Sequence, residues 1–334
     1  MSLQDKALQL LSDSIRIGTH DWGLCNEYPP SSKLVAAVKF GLDDLVPDIW
    51  EEFRDDNEAV SEALQYASVQ GNAKVVSFLL ENHSEIGNAL HLAAKKGHLE
   101  VVKIFHGAKT VLNMHSCDQM TPLMLASKAG YLDVVKLLVH HEANVNEVGP
   151  RKRTALHFSA EFGHSEVMKY LIQEGSRINA AADSVRTPLH LATQSAQLEA
   201  IQVLIGAKAN PCAADKKSRT LLHFAASTGF MEAVEILITS GAEIDTLTAD
   251  GRTAVQLAVY SGDLGTVRQL LQHHPVLEAP VGVSGETALH AAAALGSLDI
   301  VEELLKYKVN PNICRKDRRT PLHLAVQNGH IKVI

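Results

Sequence analysis

Histidine is the side chain in this sequence best suited to acid–base or metal chemistry, and the chain has 17 of them. Six occupy the fourth position of one short phrase, TPLH or a variant of it: His91, His157, His190, His223, His290 and His323. Consecutive copies lie one repeat of the phrase apart, whereas a zinc site needs its ligands to converge on one ion at about 2 Å. The regular spacing therefore predicts a structural role for these histidines and no metal site.

Motifs that would carry catalysis or hold a cofactor do not occur in the sequence. It contains no HExxH, no GxxxxGK[ST] and no kinase signature set, and the four cysteines, Cys25, Cys117, Cys212 and Cys314, form no CxxC pair. We therefore predict a non-enzyme with no catalytic residue, no cofactor and no metal. Widely spaced cysteines and an N-terminus without a signal-peptide apolar region favour a cytoplasmic location, or the host cytosol for a bacterial effector.

The composition argues against two further classes of partner. The formal net charge is -7 and aromatic residues make up 5% of the chain, which is atypical of a nucleic-acid-binding protein. No apolar stretch approaches the eighteen residues of a membrane span, so we expect no membrane insertion. The hydrophobic fraction of 46% is sufficient for a continuous core in a monomer.

A repeating unit must position these residues. The phrase begins at Thr121, Thr154, Thr187, Thr220, Thr253, Thr287 and Thr320, a spacing of 33 residues with one interval of 34. Nine residues after each Thr stands a Gly, except at Ala196. An aliphatic pair such as Val134-Val135, a Leu-rich run and a turn such as EANVN follow.

Each unit predicts two helices. Thr is a good helix N-cap and Pro suits the first turn, while Gly readily adopts the left-handed conformation that ends a helix. Leu and, three residues later, Ala form a narrow apolar stripe, and the xVVxLL run gives a second amphipathic helix. One such pair cannot bury its apolar faces alone, so neighbouring units must stack into a solenoid.

The pattern resembles the ankyrin repeat, whose signature is T-P-L-H-x-A in a 33-residue unit. The resemblance implies an all-α solenoid of stacked antiparallel helix pairs with β-hairpin fingers, and a histidine that hydrogen-bonds to the adjacent repeat. It covers a predicted repeat domain over residues 31–334. The repeats are expected near 31–60, 61–87, 88–117, 118–150, 151–183, 184–216, 217–249, 250–283, 284–316 and 317–334, the last one truncated.

The two ends depart from the pattern. Residues 1–30 match no repeat and are expected to form an N-terminal cap, with a helix around Leu3–Leu11. Gly-to-Gly spacings of 30 and 26 in the first repeats, and an acidic connection at 51–62, predict short or irregular fingers there. The final RTPLHLAVQNGHIKVI is expected to be a first helix and the start of a second, with Ile334 the boundary of a longer parent protein.

Two sets of residues outside the framework are candidates for partner binding. In five copies of the phrase the residue before Thr is an arginine: Arg153, Arg186, Arg219, Arg252 and Arg319. We call this set the arginine ladder. It is either a basic stripe for an acidic partner segment, since Arg binds carboxylates bidentately, or a solvated finger surface. The second set comes from the two positions before the Gly of four repeats and consists of Phe40, Phe162, Tyr260 and Leu295. These are either apolar anchors for a partner or side chains partly buried against a neighbouring finger.

A third register contains Asn113, Asn146, Asn179 and Asn312, sixteen residues after the Gly. With Leu138, Leu171 and Leu304 eight residues earlier, it resembles the sites that asparaginyl hydroxylase modifies in ankyrin repeats. Closing of the turn by the Asn side chain is the alternative explanation.

The leading functional hypothesis is a scaffold that binds a partner protein along the concave surface of fingers and first helices. The alternative is the targeting or substrate-recruiting arm of a larger enzyme, channel or bacterial effector whose active domain lies outside this chain. Fold alone does not choose between them.

Overall fold

The computed structural model describes residues 31–82, 86–105, 112–280, 282 and 284–334. The predicted N-terminal cap of residues 1–30 lies outside the described residues. The chain divides into two compact units, one ending at Pro150 and the other spanning Arg151–Ile334. Each is helical, as the sequence predicts, and each is described separately.

Within the described residues, the first unit contains four successive helix pairs. Each first helix packs on the first helix of the next pair, and the second helices of the last three pairs likewise pack in succession. The helices are α1 (Lys33–Lys39), α2 (Val46–Phe53), α3 (Asn57–Gln70), α4 (Ala73–Asn82), α5 (Ala89–Lys96), α6 (Leu99–Ile104), α7 (Pro122–Ala129) and α8 (Leu132–His140).

The acidic connection at 51–62 is mostly helical. Helix α2 continues to Phe53 and α3 begins at Asn57, with the Asp56 carboxylate accepting the Ala59 N–H at 3.0 Å as its N-cap. The three intervening residues are too few for a regular finger. The 30-residue spacing between Gly41 and Gly71 therefore reflects a direct helix-to-helix connection.

The second unit repeats the same arrangement, with first helices packed on first helices and second on second. Its helices are α9 (Ala155–Glu161), α10 (Ser165–Gln173), α11 (Pro188–Gln194), α12 (Leu198–Gly206), α13 (Leu221–Thr228), α14 (Met231–Thr239), α15 (Ala254–Ser261), α16 (Leu264–Leu271), α17 (Ala288–Leu295), α18 (Leu298–Lys306) and α19 (Pro321–Gln327). Residues 331–333 after α19 form a turn, where the sequence predicts the start of a second helix.

The helix limits follow from capping. The Thr121 hydroxyl accepts the Met124 N–H at 3.3 Å to begin α7, and Gly130 ends it with a φ of 83°. Ala196 stands where other repeats have this Gly and is held at a φ of 53°, a conformation that is costly for a residue with a Cβ. The register thus persists even where the favoured residue is missing.

The core consists of small and branched apolar side chains from both helices of each pair. In the repeat that contains α9 and α10, Leu156, Ala160, Met168 and Leu171 are fully buried. Alanine on the first helices permits close approach of the neighbouring helix. Burial of each large side chain contributes about 1.5–3 kcal/mol, which only a stacked neighbour provides.

The fingers are tight hairpins closed by one recurring hydrogen bond. The acceptor is the carbonyl oxygen of the residue that precedes Thr, and the donor is the N–H of the residue four positions earlier. The N–O distances are 2.9 Å for Ser116–Met120, 2.8 Å for Ala182–Arg186, 3.0 Å for Asp215–Arg219, 3.0 Å for Thr248–Arg252 and 2.9 Å for Arg315–Arg319. Within the described residues the β-pairing is limited to a bridge between Ala214 and Thr220. The predicted ankyrin-repeat fold with hairpin fingers is confirmed.

Candidate partner-binding surface

In three repeats the histidine of the TPLH phrase, His157, His223 or His290, ties the start of its own helix to the next finger. In α9, Nδ1 of His157 accepts the Thr154 N–H at 3.1 Å, and Nε2 lies 3.3 Å from the Arg186 carbonyl oxygen. Because Nδ1 accepts a proton donor, the neutral ring carries its hydrogen on Nε2, which donates to the carbonyl. The histidine therefore needs to be neutral to hold two repeats together.

The environment keeps these histidines neutral. Burial lowers the pKa of His157 and of His190 to about 4, although hydrogen bonds to backbone carbonyls act in the opposite direction. Burial is also the largest cause of the lowered pKa of His91, His223 and His290. Such rings are protonated too weakly for acid–base work near neutral pH. The predicted structural role fits this geometry.

One repeat replaces the histidine by glutamine and keeps both contacts. Gln256 Oε1 accepts the Thr253 N–H at 3.1 Å, and its Nε2 donates to the Glu286 carbonyl at 2.8 Å. An amide offers the same acceptor and donor as a neutral imidazole, but it does not titrate. At His157 and at Gln256 the position thus supplies one acceptor and one donor without a charge.

The arginine ladder is engaged within the chain itself. Three members donate to a side-chain oxygen at the end of the first helix, eight residues later in the sequence. The Nη1 distances are 2.8 Å for Arg153–Glu161, 2.9 Å for Arg186–Gln194 and 2.7 Å for Arg319–Gln327. Each of these arginines therefore ties a finger to a helix.

The other two ladder arginines are held by acidic residues of their own fingers. Arg219 donates through Nη2 to the buried Asp215 carboxylate at 2.7 Å and lies over the Phe224 ring at 4.6 Å. Arg252 lies 3.2 Å from the Asp250 carboxylate and stacks on Tyr260 at 5.0 Å. The sequence indicated their shared register but not these partners. The sequence shows only that Glu161, Gln194 and Gln327 each lie eight residues after a ladder arginine.

Other cations occupy the finger tips. Arg151, Lys152, Lys216 and Lys217 are exposed, and no ion pair involves them within the described part of the second unit. They lie beside the ladder arginines in the sequence. Their exposure makes them more accessible to a partner than the tethered arginines.

The predicted apolar residues are exposed at the C-terminal ends of first helices. The exposed fractions are 46% for Phe162, 41% for Tyr260 and 45% for Leu295 in the second unit, and 41% for Phe40 in the first. The Tyr260 hydroxyl donates to Glu286 Oε1 at 3.0 Å, and burial together with that carboxylate raises the pKa of the hydroxyl. Tyr260 and Arg252 are brought into contact, whereas Phe40 belongs to a separate unit.

The asparagine register has a structural use in two described repeats. Asn113 Oδ1 accepts the N–H of Asn144 at 2.8 Å, and Asn179 Oδ1 accepts that of Asn210 at 3.0 Å. In both cases the acceptor and the donor belong to successive turns. At Asn113 and Asn179 these bonds favour closure of the turn as the role of the Asn side chain.

In the part of the chain that the structure describes, no cluster of three His, Cys, Asp or Glu side chains has the arrangement of a metal site. Likewise, none of the described helices combines the length and apolarity needed to cross a lipid bilayer.

Comparisons with known proteins agree with this geometry. A family model described as ankyrin repeats (3 copies) matches residues 34–113, 64–149, 146–215, 189–280 and 276–334. The chain is 48% identical over 52 residues to the ankyrin repeat-containing protein ITN1 of Arabidopsis thaliana, which covers 15% of this chain and only 9% of that protein. It is 31% identical over 76 residues to the Notch-regulated ankyrin repeat-containing protein of Xenopus tropicalis, which covers 22% of this chain and 67% of that protein.

A solved structure gives the same result. The human ASB11 ankyrin repeat domain matches with a TM-score of 0.57 and 25% identity, covering 64% of this chain and 98% of that domain. Proteins built from such repeats generally mediate protein–protein interactions, and the family matches extend over most of the residues numbered here. The Thr and Gly caps, the histidine bridges and the hairpin fingers recur in the same register. This chain belongs to the ankyrin-repeat family.

Proposed function

We propose that this protein is a non-enzymatic scaffold that binds a partner protein along its fingers and first helices. The observation that carries the proposal is the repeated exposure of Phe162, Tyr260 and Leu295 at the C-terminal ends of first helices. Phe162 and Leu295 directly precede the Gly that ends the helix, and Tyr260 lies one residue earlier in the repeat. Large apolar side chains without a core function are typical of interaction surfaces.

The physical basis is burial of these side chains by the partner. Aromatic anchors contribute through area and through a shape that loses little entropy on binding. The tethered arginines support this because Arg153 and Arg252 are already held, so little side-chain freedom is lost when a partner contacts them. We propose that the partner contacts this surface with a segment that includes acidic residues.

The experiment is affinity capture with a variant that removes the anchors of the second unit. F162S/Y260S/L295S is compared with wild type by quantitative mass spectrometry of the captured proteins. Substitution at exposed positions leaves the core intact, so the thermal unfolding transition should shift by less than about 3 °C. We expect the specific partner to be lost or reduced at least tenfold.

A matched control removes apolar side chains of similar exposure elsewhere. Met231, Val276 and Leu305 are 40%, 56% and 41% exposed and lie on second helices or in the turn after one. M231S/V276S/L305S should capture the same partner as wild type. Equal loss in both variants, or no loss in the first, would contradict the proposed surface. Phe40, at the equivalent position of the first unit, is tested separately as F40S.

A second candidate is that these repeats are the recruiting arm of a larger protein with its own activity. The short match to ITN1, which covers 9% of that protein, favours this reading because repeats there form a part of a much longer chain. The test is to determine the complete sequence of the transcript that encodes these repeats. A catalytic or membrane domain in the same reading frame would support the recruiting-arm hypothesis, and its absence would favour the scaffold hypothesis.

Location and assembly complete the proposal. We propose a cytoplasmic monomer without affinity for nucleic acid, in keeping with the formal charge of -7. Light scattering of the purified chain tests the monomer, and imaging of a tagged chain tests the location. A concentration-dependent rise in mass, or nuclear or vesicular accumulation, would contradict these points.

A further inference from the structure

Two neighbouring fingers of the second unit enclose a polar cleft of about 320 Å³. One wall carries Arg151 and Arg153, and the other carries Asp183, Ser184 and Arg186, with Ala182 and Leu191 also lining it. The space is sufficient for one or two side chains of a partner. It lies beside the helix that carries Phe162.

Two of the three guanidinium groups that line the cleft, those of Arg153 and Arg186, are positioned in advance. Arg153 is tied to Glu161 at 2.8 Å, and Arg186 is tied to Gln194 at 2.9 Å while its guanidinium lies over the Phe224 ring at 5.4 Å. Each bond occupies one of five donors, and Nε of Arg186 is buried, so the Nη groups are the donors that can serve a guest. A fixed guanidinium fork matches a carboxylate and loses little entropy when it binds one.

The charges of the cleft favour a singly charged anion. Three guanidiniums face one lining carboxylate, Asp183, and Glu161 offsets a second positive charge through its pairing with Arg153. A modest positive excess remains, and Asp183 would repel a compact dianion such as phosphate. None of the residues that line the cleft is aromatic, so nothing there stacks a nucleobase.

The adjoining finger continues the basic surface at a fixed distance. The Lys216 N–H donates to the Ser184 carbonyl at 3.1 Å, and the Ala249 N–H donates to the Lys217 carbonyl at 2.8 Å. These bonds join successive finger tips through their backbones. The exposed side chains of Lys216 and Lys217 therefore stand next to the cleft in a rigid frame.

We propose that this cleft binds Asp or Glu side chains of an extended acidic segment in the partner protein, with Arg151 and Arg186 as the principal contacts. The inference rests on the proposed function and names the chemistry of its partner. A carboxylate enters between the fingers, and further acidic residues lie along Lys152, Lys216 and Lys217.

The test measures binding of a fluorescein-labelled (Glu-Gly)6 peptide to the full chain by fluorescence anisotropy at low salt. Loss of an exposed charge contact should weaken binding by about 3- to 5-fold in R151Q. D183N should strengthen binding by about 2-fold, because it removes the opposing carboxylate. This gain cannot result from damage to the fold. R318Q is the matched control, since Arg318 is also an exposed fingertip arginine with a positive φ of 64°.

Several outcomes would overturn the cleft. R151Q binding no more weakly than R318Q, or D183N binding no more tightly than wild type, would each remove the basis of the proposal. Displacement of the peptide by inorganic phosphate at lower concentration than by acetate would indicate a phosphate site. Tighter binding of a 12-nucleotide single strand would indicate a nucleic-acid surface. If the peptide fails while capture still depends on Phe162, Tyr260 and Leu295, the cleft is wrong and the proposed function stands.

Discussion

Replacement of His157 by Gln should remove a defined part of the pH dependence of stability. The side chain is fully buried and bridges the Thr154 N–H and the Arg186 carbonyl. Gln256 makes the same two contacts in its own repeat, so the chain already contains the substitute. H157Q should therefore fold, at a cost of no more than about 1 kcal/mol at pH 8.

The magnitude follows from the pKa values. Burial lowers the pKa of His157 from 6.5 to about 4. Below pH 6.5 the unfolded chain takes up a proton that the folded chain does not, so stability falls as the pH decreases and levels off near pH 4. At pH 5 the difference in proton binding corresponds to about 2 kcal/mol relative to pH 8. H157Q should lose this contribution and retain those of the other histidines.

The assay is urea unfolding of the full chain, followed by circular dichroism, at pH 8, 7, 6 and 5. Unfolding of repeat arrays need not be two-state, so the direct readout is the NMR titration of the His157 ring, with an expected midpoint near pH 4. H140Q is the control, because His140 is exposed and lies outside the capping phrase. It should follow wild type at every pH.

Two results would refute this reasoning. One is an H157Q variant that loses as much stability between pH 8 and pH 5 as wild type does. The other is a His157 ring that titrates near 6.5, which would mean that the folded state accepts the proton without losing the bridge.

Three further substitutions test other parts of the fold, each by urea unfolding against wild type. A196G should stabilise the chain by up to about 1 kcal/mol by relieving the positive φ of 53°, and a loss of stability would contradict the strain. G296A should destabilise by at least about 1 kcal/mol, because its Cβ would stand 2.4 Å from Nδ1 of His330 at a φ of 72°, and a neutral effect would contradict the close approach. D215N should cost about 2 kcal/mol by weakening the bonds to Arg219, and its effect should shrink in acid, since those bonds hold the pKa of Asp215 below its usual value against the opposing effect of burial.

Local chemistry made much of the fold predictable. Helix α7 runs from Pro122 to Ala129, between the Thr and the Gly that the sequence assigned as its caps. A cap is a hydrogen bond or a backbone conformation set by residues within one turn, so its signal is read from adjacent positions. The repeat period then multiplies this signal along the chain. Stacking follows because one helix pair leaves its apolar faces exposed.

For the candidate surface, the sequence predicted which positions are involved but not which contacts their side chains make. The sequence placed Arg153 and Arg186 in one register, but it could not show that Glu161 and Gln194 already hold them. That contact requires the finger to fold back over the helix end, and the direction of the finger depends on non-Gly residues at positive φ, such as Ser184 at 66°. No local propensity favours such a conformation, so it is imposed by the closed finger and its neighbours.

The sequence by itself thus determined which residues recur, where the helices begin and end, and that the repeats must stack. Tertiary structure decided which side chains are already engaged and which ones a partner can reach. The physical reason is range: capping and amphipathicity act over one or two helical turns, whereas the His157 bridge to Arg186 joins residues 29 positions apart. Such a contact exists only once two repeats are packed together.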